Sequence, residues 1–216
     1  MYWRRQQVED LALITLLDFR RRTGRPLTPP IDVELVGEIA CGLHWDWEPL
    51  PEPPQTHVWA ALYPSEQRVV LNETHRALFE AKPGLERFTR AHEIGHWMLH
   101  VEGGRWGVEE AGGSESEPAE RPLRPFADSS PRPVRAPVPP LLTSATGPRP
   151  WIERHADWFA ASLLMPASLF VPSAEEEAGR GDLSDWRAQS RLARKFGVTL
   201  SALRVRLSDL GFLATA

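Results

Sequence analysis

The sequence predicts an α+β fold that is mainly helical, with a small, mostly antiparallel sheet and a helix-turn-helix-like helix pair at its C-terminal end. Three observations predict it. Apolar residues recur at helical spacing over most of the chain. Residues 43–72 break that rhythm with short runs rich in Trp, Val and Leu, punctuated by proline. Beyond residue 185, two short helical patterns meet across Gly197-Val198. A chain of 216 residues with 42% apolar and 25% charged residues is long enough to bury a core around such elements.

In chain order, Val8, Leu11, Ile14, Thr15, Leu17 and Phe19 form a helical stripe that Gly24 and Pro26 end. Asp32 is placed to cap a second helix carrying Val33, Val36, Ile39, Ala40 and Leu43, with Gly42 near its end. Strands are expected at Leu43–Trp47, His57–Tyr63 and Gln67–Asn72, the last as an exposed edge able to receive an extended peptide. Past Pro83-Gly84 the period is helical through His100, and a further helix runs from Trp151 to Met165, stopping before Pro166. Two more fill Asp185–Phe196 and Ser201–Leu210. Between His100 and Trp151, residues 103–150 hold six glycines, ten prolines and six charges of each sign, a composition too polar to drive packing and read as an irregular, flexible insertion.

Composition excludes several classes. The net charge of −4 rules out a globally basic nucleic-acid coat. A single cysteine, Cys41, rules out a disulfide scaffold and a thiolate zinc cluster, so any metal must use histidines and carboxylates. No signal peptide or membrane span is visible, and a cytoplasmic location is expected.

The chemistry concentrates in His92-Glu93-Ile94-Gly95-His96. On a helix, residues four apart share one face, about 6 Å along the axis, so two imidazoles can bind one tetrahedral ion. Glu93 then sits close enough to act on a water as general base. A catalytic zinc needs a third protein ligand. His100 is about 12 Å from His92 along a helix, too far to share the ion. Glu153 on the later helix supplies a carboxylate, and Asp157 one turn on can accept the free ring N–H of a ligand histidine. His155 is the competing ligand, turned about 160° around that helix. Tyr63, His100 and His155 are unranked candidates for stabilising an oxyanion.

The run from Arg87 to His96, followed by Glu153-Arg-His-Ala-Asp-Trp-Phe-Ala-Ala-Ser-Leu-Leu-Met-Pro166, resembles the ImmA/IrrE family of bacterial metallopeptidases. Val36 to Trp47 and Val69–Asn72 are similar to the family's pieces upstream of its active-site helix, while the long Pro-rich insertion departs from it. The resemblance implies a zincin-like, gluzincin-type endopeptidase with His92, His96 and Glu153 as ligands of Zn2+ and Glu93 as catalytic base, with Mn2+ as the alternative metal. It further implies narrow specificity for a helix-turn-helix repressor, cleaved in a stress response or a mobile-element or phage-immunity circuit.

The expected organisation is a metallopeptidase domain over 1–178 and a helix-turn-helix-like segment over 179–216. From Arg180 to Arg206 there are seven basic residues and two acidic ones, which makes Arg204 and Arg206 candidates for contacting DNA or the repressor. The competing reading is a DNA-binding or adaptor regulator whose metal site is structural or degenerate. An intact Glu93 speaks against it, because a structural site has no use for a general base.

Overall fold

The computed structural model describes residues 3–54, 57–102, 141–144 and 151–213. The fold is α+β and mainly helical. Helix α1 (Arg5–Thr23) ends where Gly24 adopts a left-handed φ of 69° and returns its N–H to Arg20. Its buried face is Val8, Leu11, Ala12, Thr15, Leu16 and Phe19, whereas Leu17, expected inward, is exposed. Helix α2 (Val33–Cys41) begins as expected, the Asp32 carboxylate accepting from the Leu35 N–H, and ends at Gly42.

Strands β1 (His44–Glu48), β2 (Val58–Tyr63) and β3 (Arg68–Asn72) follow. A fourth strand, β4 (Leu141–Ser144), falls inside the segment expected to be irregular, and the rest of that segment lies outside the described residues. The order is β1-β3-β2-β4, with β1 parallel to β3 and the other two pairings antiparallel. This overturns one expectation. With β1 on one side and β2 on the other, β3 has no free edge for an incoming peptide, and among the described strands the edges are β1 and β4.

A register shift between Val58 and Ala60 moves side chains of β2 between faces. Ala60 and Leu62 join Val69 in the main core, while Val58 and Ala61 join Leu50 and Val70 in a smaller cluster that also receives Tyr63. Buried Asn72 closes the end of β3. Its Oδ1 accepts from the Leu50 and Thr74 N–H groups at 3.1 Å each, and its Nδ2 donates to the Val58 carbonyl at 2.9 Å.

Two helices escaped the sequence reading. Short α3 (Arg76–Ala81) precedes α4 (Pro83–His96), and α6 (Ala167–Ala178) contains Pro172. The proline disguised α6, yet Phe170, Ser173, Ala174 and Glu177 still form a buried stripe at helical spacing. The pattern through His100 also changes character, because beyond His96 the turns widen into a π-helical stretch, Trp97–Glu102.

Helices α4 and α5 (Trp151–Leu164) pack so closely that a Cβ added at Gly95 would lie 3.0 Å from the Ala156 Cα and 3.1 Å from the Phe159 Cβ. A Gly95→Leu chain is therefore expected to lose about 1–3 kcal/mol of stability in denaturant unfolding. It should also bind metal more weakly, because the added side chain must push α5 away from α4.

Helices α7 (Trp186–Phe196) and α8 (Leu200–Asp209) meet at Gly197, whose φ is 64°. Leu192, Phe196, Leu203 and Leu207 join the same buried cluster as α1, α4 and α5. Arg206 is only 1% exposed. Its guanidinium donates to the Met165 carbonyl at 3.1 Å and pairs with Glu9 at 2.5 Å. A side chain so enclosed cannot reach DNA or a partner, which corrects that expectation for Arg206. Arg204 donates instead to Gln189 at 2.8 Å. Among the described residues no helix is long and apolar enough to cross a membrane.

Candidate metal centre

Pro83 starts α4 without losing an internal hydrogen bond, and the helix runs unbroken to His96. Its inward face carries His92, Glu93 and His96, which are 2%, 0% and 1% exposed. Glu153 and Asp157 project from α5 toward this face. His92, His96 and Glu153 each offer a ligand atom, and the three atoms lie within 4.8 Å of one another. Glu153 Oε2 is 3.2 Å from His92 Nε2, and Oε1 is 3.2 Å from His96 Nε2. Asp157 Oδ1 takes the other nitrogen of His92, Nδ1, at 3.0 Å.

This donor set fits a metal. Two imidazoles and a carboxylate are the N/O ligands that zinc accepts, and three leave one coordination position open. His96 gives the independent observation. It is almost wholly buried, yet neither ring nitrogen makes a hydrogen bond among the described residues, its approach to Glu153 lying off the hydrogen-bond direction. A buried imidazole without a hydrogen bond is costly, and a cation shared with Glu153 and His92 would engage it.

The electrostatics of the site show what such a cation would displace. Burial works against charge on His92, but hydrogen bonds to Asp157 and Glu153 and the nearby charge of Glu93 outweigh it, raising its pKa from 6.5 to about 9. Burial likewise works against the Glu153 carboxylate, but contact with His92 and His96 holds it well below the usual carboxylate range. His92 is thus an imidazolium clamped between two carboxylates, and a metal must take the place of the proton on Nε2.

Two consequences follow for the metal-free and metal-binding chain. Zinc uptake at pH 7 should release a proton, and apparent affinity should climb by up to about tenfold per pH unit until pH nears 9. Without metal, the raised pKa stabilises the fold fully below pH 6.5, and that contribution is lost as pH rises through about 9. Thermal unfolding between pH 6 and 10, with chelator or zinc, reads both, and a metal-free chain whose stability rises over that window would contradict the clamp.

Two further histidines, His100 and His155, form a wall beside the site. His100 stays outside the ligand group; its Nε2 donates to the Ile152 carbonyl at 3.2 Å, and its ring stacks on His155 at 6.2 Å. His155, 1% exposed, also packs on Trp151 and Trp158. Burial is the main reason that His100 falls to about 3 and His155 to about 4, so both are neutral at pH 7. Tyr63 belongs to the smaller cluster on the sheet, with Arg68 over its ring at 4.8 Å, which removes it from the oxyanion candidates. The aromatic wall was not foreseen as a unit. The spacing of Trp151, His155 and Trp158 at about one helical turn was the signal that could have found it.

The sequence model of a peptidase family, M78, described as the IrrE N-terminal-like domain, matches residues 146–208. The matched segment includes Glu153 and Asp157 and runs through α6, α7 and most of α8; His92, Glu93 and His96 lie outside it. No curated protein matches the chain. The match supports a protease-like function, and the geometry supplies a group of residues able to hold a metal.

Proposed function

We propose that the chain is a metal-dependent endopeptidase, with His92, His96 and Glu153 as ligands, Glu93 as general base and Asp157 as the residue that orients His92. The observation that carries this reading is the convergence of two helices, 57 residues apart at His96 and Glu153, on one group of two buried imidazoles and a half-buried carboxylate. Zinc, or manganese in its place, would be held by that group. When bound, it supplies a Lewis acid that makes water a nucleophile near neutral pH and polarises the scissile carbonyl.

The chain's own residues do the rest. The Glu93 carboxylate takes a proton from the attacking water and returns it to the leaving amine nitrogen. Asp157 holds the Nδ1 proton of His92, so that Nε2 faces the ligand position. Neutral His155 lines the same side and is the remaining candidate for hydrogen-bonding the developing oxyanion, because the single N–H of neutral His100 is given to the Ile152 carbonyl.

The resemblance of the motif-bearing segments to the ImmA/IrrE family supports narrow specificity and a helix-turn-helix repressor as substrate, in a stress or mobile-element circuit and in the cytoplasm. On this reading residues 1–178 form the peptidase unit. Residues 179–216 buttress it, because the buried Arg206–Glu9 pair ties α8 to α1. The test is incubation of the zinc-loaded chain with helix-turn-helix repressors from its own organism. One discrete cut, abolished by chelator and restored by zinc, is the expected result. Repressors left intact by the zinc-loaded chain would remove the substrate assignment, and inertness toward all protein substrates would remove the peptidase.

A further inference from the structure

A second group of metal-type ligands stands apart from the first and shares no residue with it. Glu52 lies in the connection after β1, His57 just before β2, and His75 in the single 3₁₀ turn after β3. Each offers a ligand atom within 4.8 Å of the others. Glu52 Oε1 is 2.6 Å from His75 Nε2 and 3.9 Å from His57 Nδ1. The two imidazole rings meet edge to face at 5.4 Å.

Three arrangements around the group point to a built site. Asn72 anchors all three ligand-bearing segments, through Leu50 two residues from Glu52, Val58 beside His57, and Thr74 beside His75. Glu52 is fixed further by the Val58 N–H, which donates to its Oε1 at 2.7 Å and leaves Oε2 without a hydrogen bond from that group. Trp59 packs against both rings, 4.8 Å from His75 and 5.9 Å from His57. The backbone is therefore held before any ligand arrives, and little ordering remains to be done on binding. Hydrogen bonds from His75 and Val58 also keep the Glu52 carboxylate below its usual range, hence ionised at neutral pH.

We propose that Glu52, His57 and His75 form a second divalent transition-metal site, selective for zinc-like ions over calcium or magnesium. Two imidazoles and one carboxylate suit a borderline-soft ion, whereas calcium and magnesium want oxygen ligands. Binding replaces the hydrogen bond between His75 Nε2 and Glu52, and His57, with a side chain 60% exposed, is free to swing the short distance to bonding range. The open position goes to water. The bound ion would clamp the connection between β1 and β2 to the turn that leads into α3 and α4. This site does not depend on the peptidase reading, and the two can fail separately.

The test is the zinc content of the tag-free full chain after dialysis against free zinc of about 10 µM, a concentration suited to a partly exposed three-ligand site. Wild type is expected to retain two equivalents. His57→Ala/His75→Ala should retain one, and so should His92→Ala/His96→Ala, with the loss in different places. Magnesium or calcium in tenfold excess should not displace the second equivalent. If the His57→Ala/His75→Ala chain holds as much zinc as wild type, the site does not exist. His57 is exposed and His75 half-buried, and neither belongs to a buried apolar cluster, so that variant is expected to fold, which circular dichroism checks. A histidine-selective NMR titration of wild type gives a second reading: zinc should shift the His57 and His75 ring signals, and signals that stay put up to millimolar zinc would overturn the proposal.

Discussion

Glu93→Gln is expected to keep its metal and to lose peptide hydrolysis by about 10²–10⁴-fold, the usual contribution of a positioned general base. The substitution preserves shape at a position with no solvent exposure, so packing of α4 against α5 should survive. What changes is the ability to accept a proton. Measuring zinc content and cleavage on one preparation separates the two functions, since loss of a ligand would lower both together. Cleavage that persists in a fully loaded variant would remove Glu93 from the reaction.

Glu153→Ala is expected to have the second large effect, emptying the first site. Asp157→Asn is its control. Glu153 reaches both histidines, whereas Asp157 meets the far nitrogen of His92. Loss of an orienting partner costs about 10–100-fold in metal affinity. Loss of one of three ligands should exceed that by a wide margin, leaving the cation on two imidazoles. Competition with a chromophoric chelator orders the two variants. If Asp157→Asn proves the weaker binder, the carboxylates have exchanged roles and Asp157 is the ligand. In Glu153→Ala one of the two carboxylates that clamp the His92 proton is gone, so the pH dependence of stability between 6.5 and 9 should flatten as well.

Much of this site could be read from the chain because its parts are local. The i, i+4 spacing of His92 and His96, and of Glu153 and Asp157, fixes which side chains share a helix face before any tertiary contact is known. The Asp32 cap and the glycines at 24, 42 and 197 are local in the same sense. What escaped was non-local. The position of β3 inside the sheet depends on which strands pair with it, and nothing within Arg68–Asn72 encodes that. The strand at Leu141–Ser144 lay in a proline-rich stretch whose composition argued against order, and it forms by pairing with β2. Arg206 reads as a surface cation in sequence, and its burial follows from Glu9, nearly the whole chain away. Glu52 and His57 share the connection between β1 and β2, but His75 lies beyond β3, and only the fold brings it to them.

Strand β1 gives the sheet one of its two outer margins, and its side chains alternate between exposed His44, Asp46 and Glu48 and half-buried Trp45 and Trp47. A free strand margin is a template for sticking to another copy of itself, and two tryptophans make the temptation greater. Here the carboxylates stand guard. Arg68 on the neighbouring strand draws Glu48 to 2.7 Å and Asp46 to 3.6 Å, while Arg76 and Arg90 cover the rings of Trp47 and Trp45. Two such margins brought together would set like charges against each other. The same alternation that builds the sheet therefore works against edge-to-edge pairing at β1, and salt, by screening the carboxylates, weakens that protection.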